Sequence, residues 1–159
     1  MRVKRLALAA ALLGAAASIW GATSVTAQEE PLLLEVRHAQ SGSTLQDFDQ
    51  DGNLDRGDRA VAQGPLHDPR SGQPVGQFFM ECTAMTARVN SAQSRGVWGC
   101  SYILRLAHGQ IMLRGRDPAG VGSYRLAVTG GTGKYRDARG QAAMEDLPRR
   151  TEITVQLDS

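Results

Sequence analysis

The run DFDQDGNLDRGD, residues 47–58, carries oxygen donors at a regular spacing. Asp47, Asp49, Asp51, Asn53, Asp55 and Asp58 stand at its positions 1, 3, 5, 7, 9 and 12. Gly52 stands at position 6, where a chain wrapping a cation must turn sharply. Calcium takes about six to eight hard oxygen ligands, and alternating side chains around a turn can supply them. Asn53 would contribute its backbone carbonyl, and Leu54 can tuck toward a core. Position 12 is Asp, whose reach is shorter than that of Glu, and no helical pattern flanks the run. The expectation is structural Ca2+ that pins the N-terminal segment onto the domain; the alternative is an acidic surface turn. Catalysis is not expected of this loop, because Gly and Gln offer no apolar wall to shift a carboxylate.

A second set of reactive groups lies on alternating apolar runs. In VWGCSYILRLAH (97–108), Trp98, Cys100, Tyr102, Leu104 and Leu106 share one face, with Ile103 and Arg105 on the other. Phe78, Met80 and Cys82 share the corresponding face of VGQFFMECTAM (75–85). If that face is internal, Phe78, Met80, Trp98, Tyr102 and Tyr124 line a space suited to an apolar or aromatic ligand, and the two tyrosine hydroxyls orient it. With the opposite parity, Glu81, Arg105 and Arg114 gain access instead and could polarise or protonate a substrate. The candidate catalytic groups are therefore Tyr102, Glu81 and Arg105. In the simplest alternative the large residues fill a solid core. No Ser-His-acid ordering is present, and His67 and His108, beside turn residues, are expected at the surface.

The elements that must position these groups are short. Gly, Pro, Asn and Asp cut the chain into runs of strand length, and no long amphipathic helix is evident. Strands are expected within 31–39, 58–68 (bent near Gly64-Pro65), 75–85, 97–108, 110–117, 123–130, 137–146 and 151–158, with a tight hairpin at His108-Gly109. About eight short-linked strands make an all-β fold, either a sandwich or a closed barrel.

The beginning of the chain reads as an export signal. Arg2, Lys4 and Arg5 precede an uncharged run from Leu6 to Trp20, and Val25-Thr26-Ala27 suits cleavage after Ala27. The apolar run is about fifteen residues, short of the roughly 20 needed to span a bilayer. Residues 1–27 are thus read as a signal peptide, 28–57 as an N-terminal segment and 58–159 as the barrel, its first strand coming from 31–39. The mature chain is expected to be secreted or periplasmic, touching the membrane only during export. Removing three basic residues from 18 leaves 15 against 16 acidic ones. The basic balance therefore belongs to the signal, and a nucleic-acid partner is not expected. In an oxidising compartment Cys82 and Cys100 are expected to form a disulfide; two buried thiols are the alternative.

The glycine-rich run VTGGTGKYRDARG (128–140) is not a phosphate-binding loop. The register puts Val128 where the first glycine should be, and Tyr135 follows Lys134 where Ser or Thr should stand. A tight corner is the simpler role. No organic cofactor is expected. This run resembles the signature of the allene oxide cyclase and dirigent barrel superfamily, in particular bacterial exported members. Gly57-Asp58, SGQPVG (71–76), Cys82, Cys100 and GQIMLRG (109–115) stand in similar order around it, so the resemblance covers roughly 55–158. It implies an eight-stranded antiparallel barrel with an internal cavity and a hydrophobic small-molecule ligand. It also implies an isomerase or cyclase, or a non-catalytic guiding protein, and a homo-oligomer. A structural envelope or interaction domain remains the alternative. A cavity holding an ionisable group would favour the enzyme, and a cavity of aromatics and aliphatics alone would favour binding.

Overall fold

The computed structural model describes residues 30–86, 88–89, 96–119 and 122–158. The proposed signal peptide lies outside them. Nine strands follow in chain order: β1 (Leu32–Arg37), β2 (Gly42–Gln46), β3 (Arg59–His67), β4 (Pro74–Ala84), β5 (Val97–Leu106), β6 (Gly109–Pro118), β7 (Ser123–Gly131), β8 (Gly140–Leu147) and β9 (Arg150–Leu157). From β3 to β9 each strand pairs antiparallel with the next, and β9 pairs with β1. Pairing of Glu35 with His67 and Val36 with Leu66 joins β1 to β3 and closes an eight-stranded barrel. Closure leaves the ring without open edges.

Alternation builds the interior. On β7, Tyr124, Leu126 and Val128 are buried between exposed neighbours, and Gly130 continues the buried parity. Leu34, Leu66, Leu104, Ile111, Leu113 and Val155 are no more than 2% exposed and fill one end solidly. The cysteines are direct cross-strand partners on β4 and β5 and are joined as a disulfide.

The ninth strand was not expected. Beyond Arg37 the chain leaves β9, makes a 3-10 turn over His38–Gln40, and β2 takes over the edge of β3 from Arg59 to Gln63. Gly64 and Pro65 occupy the step between these two partners on β3. A Cβ on Gly64 would lie 2.9 Å from Ser41 Oγ and 3.0 Å from Ser41 Cα, so glycine gives the crossing chain the room it needs. Pro65, lacking an N–H, sits where that edge has no ladder partner. The register shift itself comes just after, between Leu66 and His67. His67 is buried, at 5% exposure, contrary to the surface position expected, because its strand end is sandwiched between Glu35 of β1 and Pro74 of β4. His108 is exposed in the β5–β6 turn, as expected.

The glycine-rich signature is a corner. Lys134 N–H donates to the His108 carbonyl (2.8 Å), seating the Gly133–Tyr135 turn on the β5–β6 hairpin. Gly133 has φ +59°, and a Cβ there would collide with the same carbonyl.

Candidate functional site

Tyr102 lies midway along β5 and Tyr124 near the start of β7. Both point inward, 6% and 9% exposed. Their hydroxyl oxygens are 3.0 Å apart. Two hydroxyls hold two protons and the contact between them uses one. The second proton is left for another acceptor, such as a bound molecule or water. Burial raises the pKa of both phenols, so both stay neutral at physiological pH.

Beside this pair the interior is not filled. Val36, Ala62, Phe78, Met80, Met144 and Ile153 join the two tyrosines around a cavity of about 560 Å³. That volume falls within the range of small-molecule sites, about 300–1,000 Å³. The cavity reaches the surface where β1 gives way to β2: His38, Ser41, Ser43, Asp146 and Thr151 form its polar rim.

Two carboxylates belong to this space. The inward parity of β6 runs Ile111, Leu113, Gly115, Asp117, and that of β8 runs Ala142, Met144, Asp146. Asp117 is half-buried and Asp146 exposed at the rim. Burial, with a smaller contribution from the Asp146 charge, pushes the Asp117 carboxyl up to about 6. Asp146 is held by Thr151, whose hydroxyl donates to it at 2.8 Å. Thr151 has no second proton, so at 3.1 Å His38 donates to it from Nε2. Among the described residues no Lys or Arg lines the cavity. A carboxyl group titrating near neutrality can take or give a proton beside an apolar ligand, and the tyrosine pair can hold a ligand oxygen.

The sequence-derived candidates divide clearly. Phe78, Met80, Tyr102 and Tyr124 meet at the cavity. Trp98 is buried opposite Asp117, two residues from Cys100 on the same face, but is not among the cavity walls. Glu81 and Arg105 occupy the outward parity. Glu81 pairs with Arg59 (3.2 Å) on the outer surface, and Arg105 is exposed on the other face from Tyr102. Asp117 and Asp146 were not singled out from the sequence, although the same alternation leads to both.

In the acidic loop Asp47, Asp49 and Asp51 bring carboxylate oxygens within 4.8 Å of one another. Asp47 also accepts the Gln50 and Gly52 N–H groups (2.8 and 2.9 Å). The Gly52 N–H does most to hold Asp47 below the usual carboxylate range. The Asp51 N–H has the same effect on Asp49, but its contact with Asp47 and the nearby charges leave Asp49 raised. Asn53 and Asp55 continue the loop outside this group of three. Asp58 is 2% exposed and accepts the Phe48 and Asp55 N–H groups (2.9 and 2.8 Å). It ties the loop to the barrel through backbone contacts.

No family model and no curated protein matches the chain. Solved structures do. A pyocyanin demethylase aligns over 80% of this chain and 99% of its own at 23% identity, with a TM-score of 0.67. A pterocarpan synthase dirigent protein aligns over 82% of this chain and 96% of its own at 15% identity and TM-score 0.60. The Diels-Alderase AbmU from Streptomyces koyangensis aligns over 79% of this chain and 61% of its own at 17% identity and TM-score 0.58. At these identities the likeness is one of fold: the chain has the antiparallel β-barrel fold of the dirigent protein and the Diels-Alderase.

Proposed function

We propose that this barrel binds a hydrophobic small molecule in the cavity beside Tyr102 and Tyr124 and acts on it as an isomerase or cyclase. One observation carries the reading: an ionisable group, Asp117, with its pKa raised to about 6, lines a cavity whose inner walls are apolar and aromatic and whose rim is polar. Asp117 would move the proton, and the free tyrosine proton would hold the substrate oxygen. That the demethylase, the Diels-Alderase and the pterocarpan synthase dirigent protein are named for work on small organic molecules supports the choice of ligand class. Dirigent-like guiding without bond-making is the second reading. It is favoured by the walls themselves, since Phe78, Met80, Met144 and Ile153 present shape and no reactive group.

The chain is further proposed to be exported, on the basic start, apolar middle and small-residue exit of residues 1–27. The Cys82–Cys100 disulfide suits the periplasm or the outside of the cell. The gathered carboxylates of Asp47, Asp49 and Asp51 are proposed to hold a structural calcium ion, with Asp55 and the Asn53 carbonyl completing the shell. Self-association is an expectation of the family resemblance.

An environment-sensitive apolar dye tests the cavity. Wild-type protein should bind it saturably at one site, and Ala62→Trp, which fills the cavity from β3, should abolish binding without unfolding the barrel. Dye binding that is unaffected by Ala62→Trp places the site elsewhere and ends the reading.

A further inference from the structure

We infer that the cavity selects apolar ligands that carry a positive charge and turns away anionic ones. The inference rests on the ligand-binding reading above and adds the ligand's charge. Asp117 stands part-way inside, and Asp146 at the rim on the neighbouring β8–β9 hairpin. The two charges are mutually unfavourable, and the Asp146 charge adds to the cost of ionising Asp117. Among the described residues no lysine or arginine lines the space to neutralise them. The rim hydrogen bonds do not answer this charge. Thr151 donates to Asp146, and His38 is engaged through Thr151. Among the described residues none donates a hydrogen bond to the Asp117 carboxylate, which leaves it available to a bound cation.

The walls fit the same ligand. Phe78, Tyr102 and Tyr124 put three aromatic rings in the lining, and the face of such a ring attracts a cation at short range. A bound cation would remove the repulsion between the carboxylates, whereas a ligand carboxylate would add a third negative charge to a partly dehydrated space. The same contrast counts against a fatty-acid substrate, which would bring its own carboxylate to this rim. At about 6 Å and an effective dielectric of about 20, attraction to one carboxylate is ample for a tenfold preference, even after screening by salt.

Three naphthalene probes of matched shape test this at pH 8: (2-naphthylmethyl)trimethylammonium, its uncharged carbon isostere 2-neopentylnaphthalene, and 2-naphthylacetate. The cation should bind at least about tenfold more tightly than the neutral isostere, and the anion should show no saturable binding. In Asp117→Asn/Asp146→Asn the preference for the cation should fall to within about threefold, with the neutral probe's affinity retained. Asp146→Asn alone, at an exposed position, provides a variant that folds and should lose part of the preference. Equal binding of cation and neutral probe overturns the charge inference while leaving the cavity reading in place, as does a preference that survives in the double variant. Binding of none of the three overturns both.

Discussion

Replacing Asp117 by Asn should stabilise the protein, and only above a definite pH. The Asp117 carboxyl titrates near 3.8 when unperturbed and at about 6 in the folded barrel. Between those values the folded state holds a proton that the unfolded state has released. Stability therefore falls as pH rises through this window, and the penalty is complete above about pH 6. Two pH units correspond to about 3 kcal/mol at full burial. Asp117 is only half-buried, so screening by solvent reduces this to about 1–2 kcal/mol. Asn has the same shape and no charge to lose. The difference in unfolding free energy, Asp117→Asn minus wild type, should thus be near zero at pH 3.5 and about 1–2 kcal/mol at pH 8. In thermal terms that is an upward shift of about 4–8 °C at pH 8. Urea unfolding of both proteins across pH 3.5–8 measures it directly. Because burial outweighs the Asp146 charge as the cause, Asp146→Asn should move the midpoint of this effect down only slightly. A difference that is flat with pH, or largest at low pH, would refute the placement of Asp117 in a dehydrated cavity.

Three further outcomes follow from the same structure. Reducing the Cys82–Cys100 bond, which spans 18 residues of sequence, should cost about 3 kcal/mol in urea unfolding; no change would deny the bond a role in stability. Calcium at millimolar concentration should raise the melting temperature of the wild type but not of Asp47→Asn/Asp51→Asn, and identical calcium responses in the two would leave the acidic loop as a surface turn. Gly133→Ala should lose about 2 kcal/mol or more by thermal unfolding, because the residue needs positive φ and its Cβ would strike the His108 carbonyl; a neutral result would contradict the corner geometry.

What the sequence reveals is what local alternation encodes. Trp98, Cys100, Tyr102 and Leu104 share a face on the page and in the barrel, and so do Tyr124, Leu126 and Val128. The β5–β6 hairpin is equally local, although its two-residue turn falls at Ala107-His108, one residue before the His108-Gly109 expected, and Gly109 opens β6. β2 escapes notice because all five of its residues are exposed and it is held by backbone pairing to β3 alone. Ring closure depends on Val36 meeting Leu66, and no periodicity reports a contact thirty residues apart. Asp117 and Asp146 show a subtler failure. Counting by twos from Ile111 or Ala142 reaches them, but a carboxylate near a strand end reads as solvated unless the space beside it is known. His67 is the converse, a residue next to a turn that a long-range partner buries.

Ligand occupancy of the cavity is tested most directly by native mass spectrometry of the full-length protein, expressed from its whole sequence and purified without chelator from whichever fraction carries it. The wild type should carry a mass increment from an organic molecule that survives purification and is absent from Ala62→Trp, and that mass names the substrate class. A protein that carries no adduct, and that takes up no apolar probe when one is supplied, would contradict a ligand-binding barrel.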